Sequence, residues 1–382
     1  MLRRIRAAHQ AGKHKKADHL TDVYLNSLDA RYLAVREAYA KLNSHQRPNA
    51  TCLLGYARSL NAWEGTQEEV ILRLIEKKGK PGQFRTIMEF GIENRALQYL
   101  VRPILKARAD LHPNQYLIKG GVHAAVGRVA KLLGKGYGWA VESDIANCYA
   151  SFDGEKAAER LPLPKKVTRN VLLSATLHYS LSHNSIFGPA DPGDDDEVIF
   201  AELFADARRG FPQGSAASPF AVEMLLAPLF YQLPLGGGSI GYADNFLAMA
   251  REERDVVSMT TAFWSALRAH PAGQFGPKEP KSYQPGQAIE FLGHSFRRTG
   301  GSVRIDPTNE NLVNFKCQMN RALRQIHRLS EDPYRATSRA RELRRYVRSW
   351  TAAFGLCTDV EGYGAEALER IGKFTSGKLI VV

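Results

Sequence analysis

Two aspartates, Asp144 near the end of an expected strand and Asp244 where two apolar runs meet, stand where a carboxylate can hold a divalent cation. Asp244 belongs to Tyr242-Ala243-Asp244-Asn245, between Ile240-Gly241 and Phe246-Leu247-Ala248-Met249-Ala250. Two apolar runs that meet at an Asp-Asn pair read as a β-hairpin with a carboxylate at its tip. Asp-Asn is also ordinary turn chemistry, since both residues tolerate the left-handed conformation and bond their own backbone. Asp144 follows Trp139-Ala140-Val141, which start a strand and put it near the strand's end.

A third segment lies between them, Gly210-Phe211-Pro212-Gln213-Gly214-Ser215-Ala216-Ala217-Ser218-Pro219. Pro-Gln-Gly is a turn, Ser218 a fair N-cap, and Pro219 suits the first helical position. An apolar helix is expected from Phe220 through Leu229. In order, the chain offers a strand with an Asp, a glycine turn into a helix, and a hairpin with an Asp.

That order resembles the palm of reverse transcriptases. Their motif A has an Asp with an aromatic five residues on, here Asp144 and Tyr149. Their motif B reads Pro-Gln-Gly-x-x-x-Ser-Pro, matched without a gap from Pro212 to Pro219. Their motif C reads Tyr-x-Asp-Asp, here Tyr242 to Asn245. Lys80-Pro81-Gly82-Gln83-Phe84-Arg85-Thr86-Ile87 is similar to the fingers element that grips the triphosphate, and Ala96-Leu97-Gln98 onward to the helix after it. Tyr116 to Ala125, with Gly120-Gly121-Val122-His123-Ala124-Ala125, resembles a degenerate form of the segment before motif A. Pro280-Lys281-Ser282 resembles motif D, Phe291-Leu292-Gly293-His294 the primer grip, and Arg345 to Trp350 a thumb helix of group II intron-like enzymes. The likeness covers about 70 to 355.

The resemblance implies an α+β right-hand polymerase. Residues 1–70 would form an N-terminal helical extension and 71–140 fingers. Residues 141–300 would form a palm with an acidic loop at 188–197, and 301–382 a short helical thumb. The chemistry would be attack of a primer 3′-hydroxyl on the α-phosphorus of a dNTP, with two Mg²⁺ ions (Mn²⁺ as a substitute) neutralising attacking and leaving oxygens. Asp144, Asp244 and the Ile145 carbonyl would ligate metal. Asn245 would stand beside them, and Lys281 would protonate pyrophosphate. Arg85 with Lys80 or Lys78 would neutralise the triphosphate, and Gln213 and Gly214 would floor the nucleotide pocket. A Tyr149 ring under the sugar would exclude a 2′-hydroxyl. Gly293, Arg324, Arg328, Arg345 and Arg348 would touch nucleic acid.

Charge agrees with a nucleic-acid enzyme. The chain has 382 residues and a net charge of +13. Residues 1–140 hold 24 basic and 11 acidic side chains, residues 141–300 hold 14 and 19, and residues 301–382 hold 14 and 9. Basic flanks neutralise phosphates and an acidic middle attracts metal. Cys52, Cys148, Cys317 and Cys357 are scattered, which argues against structural zinc and for a reducing cytoplasm. No apolar run approaches a membrane span.

Periodicity predicts helices over 18–44, 57–78 (one or two), 93–109, 122–133, 166–182, 309–330, 333–354 and 362–372. Asp194-Asp195-Asp196 read as a solvated loop, because adjacent side chains on extended backbone point apart.

Asn245 departs from the family, which usually has a second Asp there; Asn is neutral and offers one carbonyl oxygen. The expected function is RNA-directed DNA synthesis, with a dedicated non-coding RNA as template. A homo-oligomer or a second protein subunit is a possible partner. The absence of endonuclease, RNase H or integrase motifs points to a compact bacterial enzyme: defence-associated, diversity-generating or retron-like. Antiphage defence is the first expectation. The alternatives are a catalytically silent RNA-binding scaffold of the same fold, an RNA-dependent RNA polymerase, and an untemplated or protein-primed polymerase.

Overall fold

The computed structural model describes residues 1–43, 46–76, 84–181, 204–234, 237–329 and 331–375. The acidic loop at 188–197, Lys78 and Lys80 lie outside the described residues.

The chain opens with α1 (Leu2–Gln10), α2 (His14–Asn26), α3 (Leu28–Lys41) and α4 (Leu53–Ser59). The single helix expected over 18–44 is broken at Ser27. Its backbone is extended, and its hydroxyl accepts from the Ala30 amide at 3.4 Å as an N-cap on α3. The break rotates the buried stripe onto Ala30, Ala34, Val35 and Ala38, leaving Leu28 and Leu33 exposed.

The helix expected over 57–78 is corrected too. α4 ends at Ser59, and Glu69–Glu76 form strand β1, paired antiparallel with β2 (Phe84–Glu89) and parallel with His178–Leu181. A short apolar run fits both periods, so its partners decide, and the second lies about a hundred residues on.

α5 (Ile92–Ala107) and α6 (Gly121–Gly134) fall where periodicity puts them. The Glu68 carboxylate accepts from the Glu93 and Asn94 amides at 3.2 and 2.8 Å, capping α5 from outside the helix. After β3 (Trp139–Ala146) come α7 (Cys148–Ser151), α8 (Gly154–Ala158) and α9 (Lys165–Leu172). The helix expected over 166–182 stops at Leu172, and its tail is β4 (His178–Leu181), drawn off by pairing with β1.

The second half runs α10 (Ser218–Phe230), β5 (Gly238–Tyr242), β6 (Asn245–Ala250), α11 (Glu253–Arg268), β7 (Gly276–Pro277), β8 (Lys281–Tyr283), β9 (Ile289–Phe291), β10 (His294–Thr299) and β11 (Ser302–Pro307). Three helices close the described chain: α12 (Asn309–Arg328), α13 (Pro333–Ala353) and α14 (Val360–Thr375).

The central sheet has the order β5-β6-β3-β7, with β8 also on β3 and every pairing antiparallel. Alternation along its strands serves two cores. Val141, Ile145, Phe246 and Ala248 pack with α5, α10 and α11, where Phe246 stacks on Phe263 at 3.9 Å. Ala140, Ile240, Leu247 and Met249 pack with α6 and β9–β10. The last three helices bury their own core around Phe315, Leu323, Val347 and Trp350. It is tied to β11 by the Thr358 amide donating to the Ile305 carbonyl at 2.8 Å. The architecture is mixed α+β with mainly antiparallel sheets. No described helix is long and apolar enough to cross a membrane.

Candidate active site

Ala243 and Asp244 are the two central residues of the β5–β6 turn, closed by the pair Tyr242–Asn245. Ala243 carries the turn's positive φ, +52°, a conformation that costs a residue with a Cβ. Asp144 on β3 lies directly opposite Asn245. The register therefore brings Asp144 beside the hairpin tip, where its charge acts on the Asp244 carboxyl. Burial and then the Asp144 charge hold the Asp244 carboxyl above its ordinary range, opposed by its own backbone amide and by Lys278. The Asn245 amide donates to the Tyr242 carbonyl and to Asp244 Oδ1, both at 3.4 Å, so it braces the tip rather than adding charge.

The cation on Asp144 is one the sequence reading did not choose. Lys278 Nζ contacts Asp144 Oδ2, and the Lys278 amide donates to the Asp144 carbonyl at 3.0 Å. Lys281 is paired across the sheet with Glu142 and lies 3.6 Å from its carboxylate. The Tyr283 hydroxyl donates to the same carboxylate at 3.4 Å. Burial raises the Glu142 pKa, while Lys281 pulls it down.

Beyond Asp144, β3 leaves the sheet through Asn147, whose φ of +47° turns the chain at once into α7. Cys148 is buried under that turn. Tyr149 is half-buried, and burial followed by the Asp244 charge pushes its hydroxyl pKa up. The Tyr149 carbonyl accepts from the Phe211 amide at 2.9 Å. Gly210, with φ +55°, is packed against that carbonyl.

The Pro-Gln-Gly turn is thus joined to the Asp144 segment. Gln213 is exposed, while Gly214 has φ +93° and faces the Met88 carbonyl of β2. The Ser215 hydroxyl accepts from the Ala217 and Ser218 amides at 3.2 and 3.4 Å. That corrects the expected cap, because the Ser218 hydroxyl is itself buried without a partner. Gln98 of α5, fully buried, accepts from the Ala216 amide at 3.0 Å. Arg85 lies on β2 opposite Ile75, with its side chain outside the described residues.

Gly293 sits at the β9–β10 tip, where Leu292 and Gly293 both have positive φ. Its carbonyl accepts from the Thr308 amide at 2.9 Å and the Asn311 side chain at 3.2 Å. Arg324 and Arg328 on α12, and Arg345 and Arg348 on α13, are exposed with no carboxylate partner among the described residues.

One buried carboxylate escaped the sequence reading. Glu223 of α10 is fully buried and accepts from the Leu117 and Ile118 amides, each at 2.8 Å. Burial pushes its pKa up to about 7 against the pull of those amides. A lone carboxylate inside the apolar run from Phe220 was the signal. Through it α10 holds the segment before α6 in place, and that segment extends the sheet, with the Tyr116 amide donating to the Gly241 carbonyl at 3.0 Å.

Among the described residues no group of three or more His, Cys, Asp and Glu side chains is arranged to hold a metal. The donors that converge are two carboxylates, all oxygen, the donor type that a hard divalent cation takes.

No family model matches the chain, and no curated protein matches it. Among solved structures, a telomerase from Candida albicans in complex with a TWJ fragment of telomeric RNA matches with a TM-score of 0.38 and 12% identity. The match covers 82% of this chain and 60% of that one.

Proposed function

We propose that the chain is an RNA-directed DNA polymerase. The carrying observation is the pairing of Asp144 with Asn245, which sets Asp144 beside Asp244 at the hairpin tip. On this reading residues 71–140 serve as fingers, 141–300 as palm and 301–382 as thumb. Asp144 and Asp244 hold Mg²⁺. When bound, the ions neutralise the attacking and leaving oxygens of phosphoryl transfer. Tyr149 lies under the nucleotide sugar and excludes a 2′-hydroxyl. Gln213 and Gly214 bound the base-pair side, and the exposed arginines of α12 and α13 follow the template–primer backbone. The template is RNA, the substrates are dNTPs, and antiphage defence is the biological setting we favour.

A second reading, a silent RNA-binding scaffold, is favoured by two observations: Asn245 is neutral and Lys278 already compensates Asp144. Incorporation of labelled dNTPs by purified protein with its co-purifying nucleic acid separates the two. The polymerase incorporates, and Asp144→Ala and Asp244→Asn abolish incorporation while RNA stays bound. RNA binding with no incorporation by wild type in Mg²⁺ or Mn²⁺ would leave the scaffold.

A further inference from the structure

On the polymerase reading Asp144 is a cation ligand, yet its Oδ2 is already engaged by the Lys278 ammonium. The contact is delivered by the backbone. β7 pairs Pro277 with Ile145 and Gly276 with Ala146, and the next amide, that of Lys278, donates to the Asp144 carbonyl at 3.0 Å. The side chain therefore starts beside the carboxylate it neutralises. Lys281 does not share this place, being committed to Glu142.

The charges decide what such a lysine does. Asp144 and Asp244 contribute two negative charges and Lys278 one positive. Asn245, which holds the turn position after Asp244, contributes none. The site's net charge of about −1 attracts a divalent ion weakly, and a cation at Asp144 must compete with an ammonium tethered there. A triphosphate brings several negative charges and gives Lys278 a better partner.

We propose that Lys278 is a tethered countercation that closes Asp144 to divalent metal until an anionic ligand of the nucleoside triphosphate class draws its ammonium away. Metal and triphosphate then bind with positive coupling, each tightening the other by the same factor. This rests on the assignment of Asp144 and Asp244 as ligands.

The test is a Mn²⁺ titration of the full chain, read by electron paramagnetic resonance. It compares wild type, Lys278→Met, Lys278→Gln, Asp144→Asn and the double variant Lys278→Met/Asp144→Asn, with folding checked by circular dichroism. Because the Lys278–Asp144 pair is partly solvent-exposed, both Lys278 variants are expected to bind Mn²⁺ roughly two- to fivefold tighter than wild type. A non-hydrolysable dNTP analogue should tighten Mn²⁺ in wild type more than in either Lys278 variant. If Asp144→Asn weakens Mn²⁺ binding but neither Lys278 variant tightens it, the countercation is refuted and the carboxylate site stands. If Asp144→Asn changes nothing in the wild-type or the Lys278→Met background, the ligand assignment falls and the countercation with it.

Discussion

A Cβ built on Gly210 would lie 2.0 Å from the carbonyl oxygen of Tyr149. The approach to the Pro-Gln-Gly turn and the aromatic beyond Asp144 are therefore in backbone contact. Gly210 also has φ +55°, so a side chain there is strained by conformation as well as by space. Gly210→Ala should destabilise the fold by about 2 kcal/mol or more, read from urea unfolding. On the polymerase reading it should also slow dNTP incorporation, because Tyr149 cannot keep its place.

On the polymerase reading Tyr149 sets sugar choice. Its ring is packed with the central core and feels both carboxylates. Tyr149→Ala should raise the kcat/KM for rNTPs relative to dNTPs by about ten- to hundredfold, the range expected for one pocket group. Competition between matched dNTP and rNTP is the measurement. An unchanged ratio would remove Tyr149 from the sugar pocket.

The exposed arginines of α12 and α13 make a prediction in salt. On the polymerase reading, replacing Arg324, Arg328, Arg345 or Arg348 by Gln should make the negative slope of log affinity against log salt shallower by about 0.7–0.9 for each phosphate left without its arginine. Fluorescence anisotropy with a labelled RNA–DNA hybrid at several salt concentrations gives that slope. Four unchanged slopes would place the nucleic acid elsewhere.

Glu223 predicts a pH dependence of stability. Its pKa is about 7 in the fold against an ordinary 4.5, so the folded chain binds the extra proton between those values. Stability is then greatest below about pH 4.5 on this account, falls as pH rises through 7, and levels off above. Wild type should lose stability from pH 5 to pH 8, and Glu223→Gln should lose less. Parallel losses in the two proteins would assign the dependence to other groups.

What could be read from sequence follows the range of the forces involved. Asp244 is placed by a two-residue turn and Asp144 by the strand that starts at Trp139, so both positions are local and legible. α5 and α6 are likewise local, with clear periodicity. β1 was hidden because Val70-Ile71-Leu72 packs equally well in either period until β2 and β4 arrive. Ser27 is an ordinary cap, overlooked because the apolar spacing continues across it. Lys278 could not be chosen over Lys281 without knowing which of them β7 and β8 bring to Asp144.

The Gly293 carbonyl, gripped by Thr308 and Asn311, stands at the root of α12. α12 is 20 residues long. At 1.5 Å per residue it spans about 30 Å, so a tilt of roughly 5° at its root carries the far end by about 3 Å. The angle at which α12 leaves the β9–β10 tip therefore sets where Arg324 and Arg328 lie, and the second tie of these helices, from Thr358 to Ile305 of β11, helps to fix that angle.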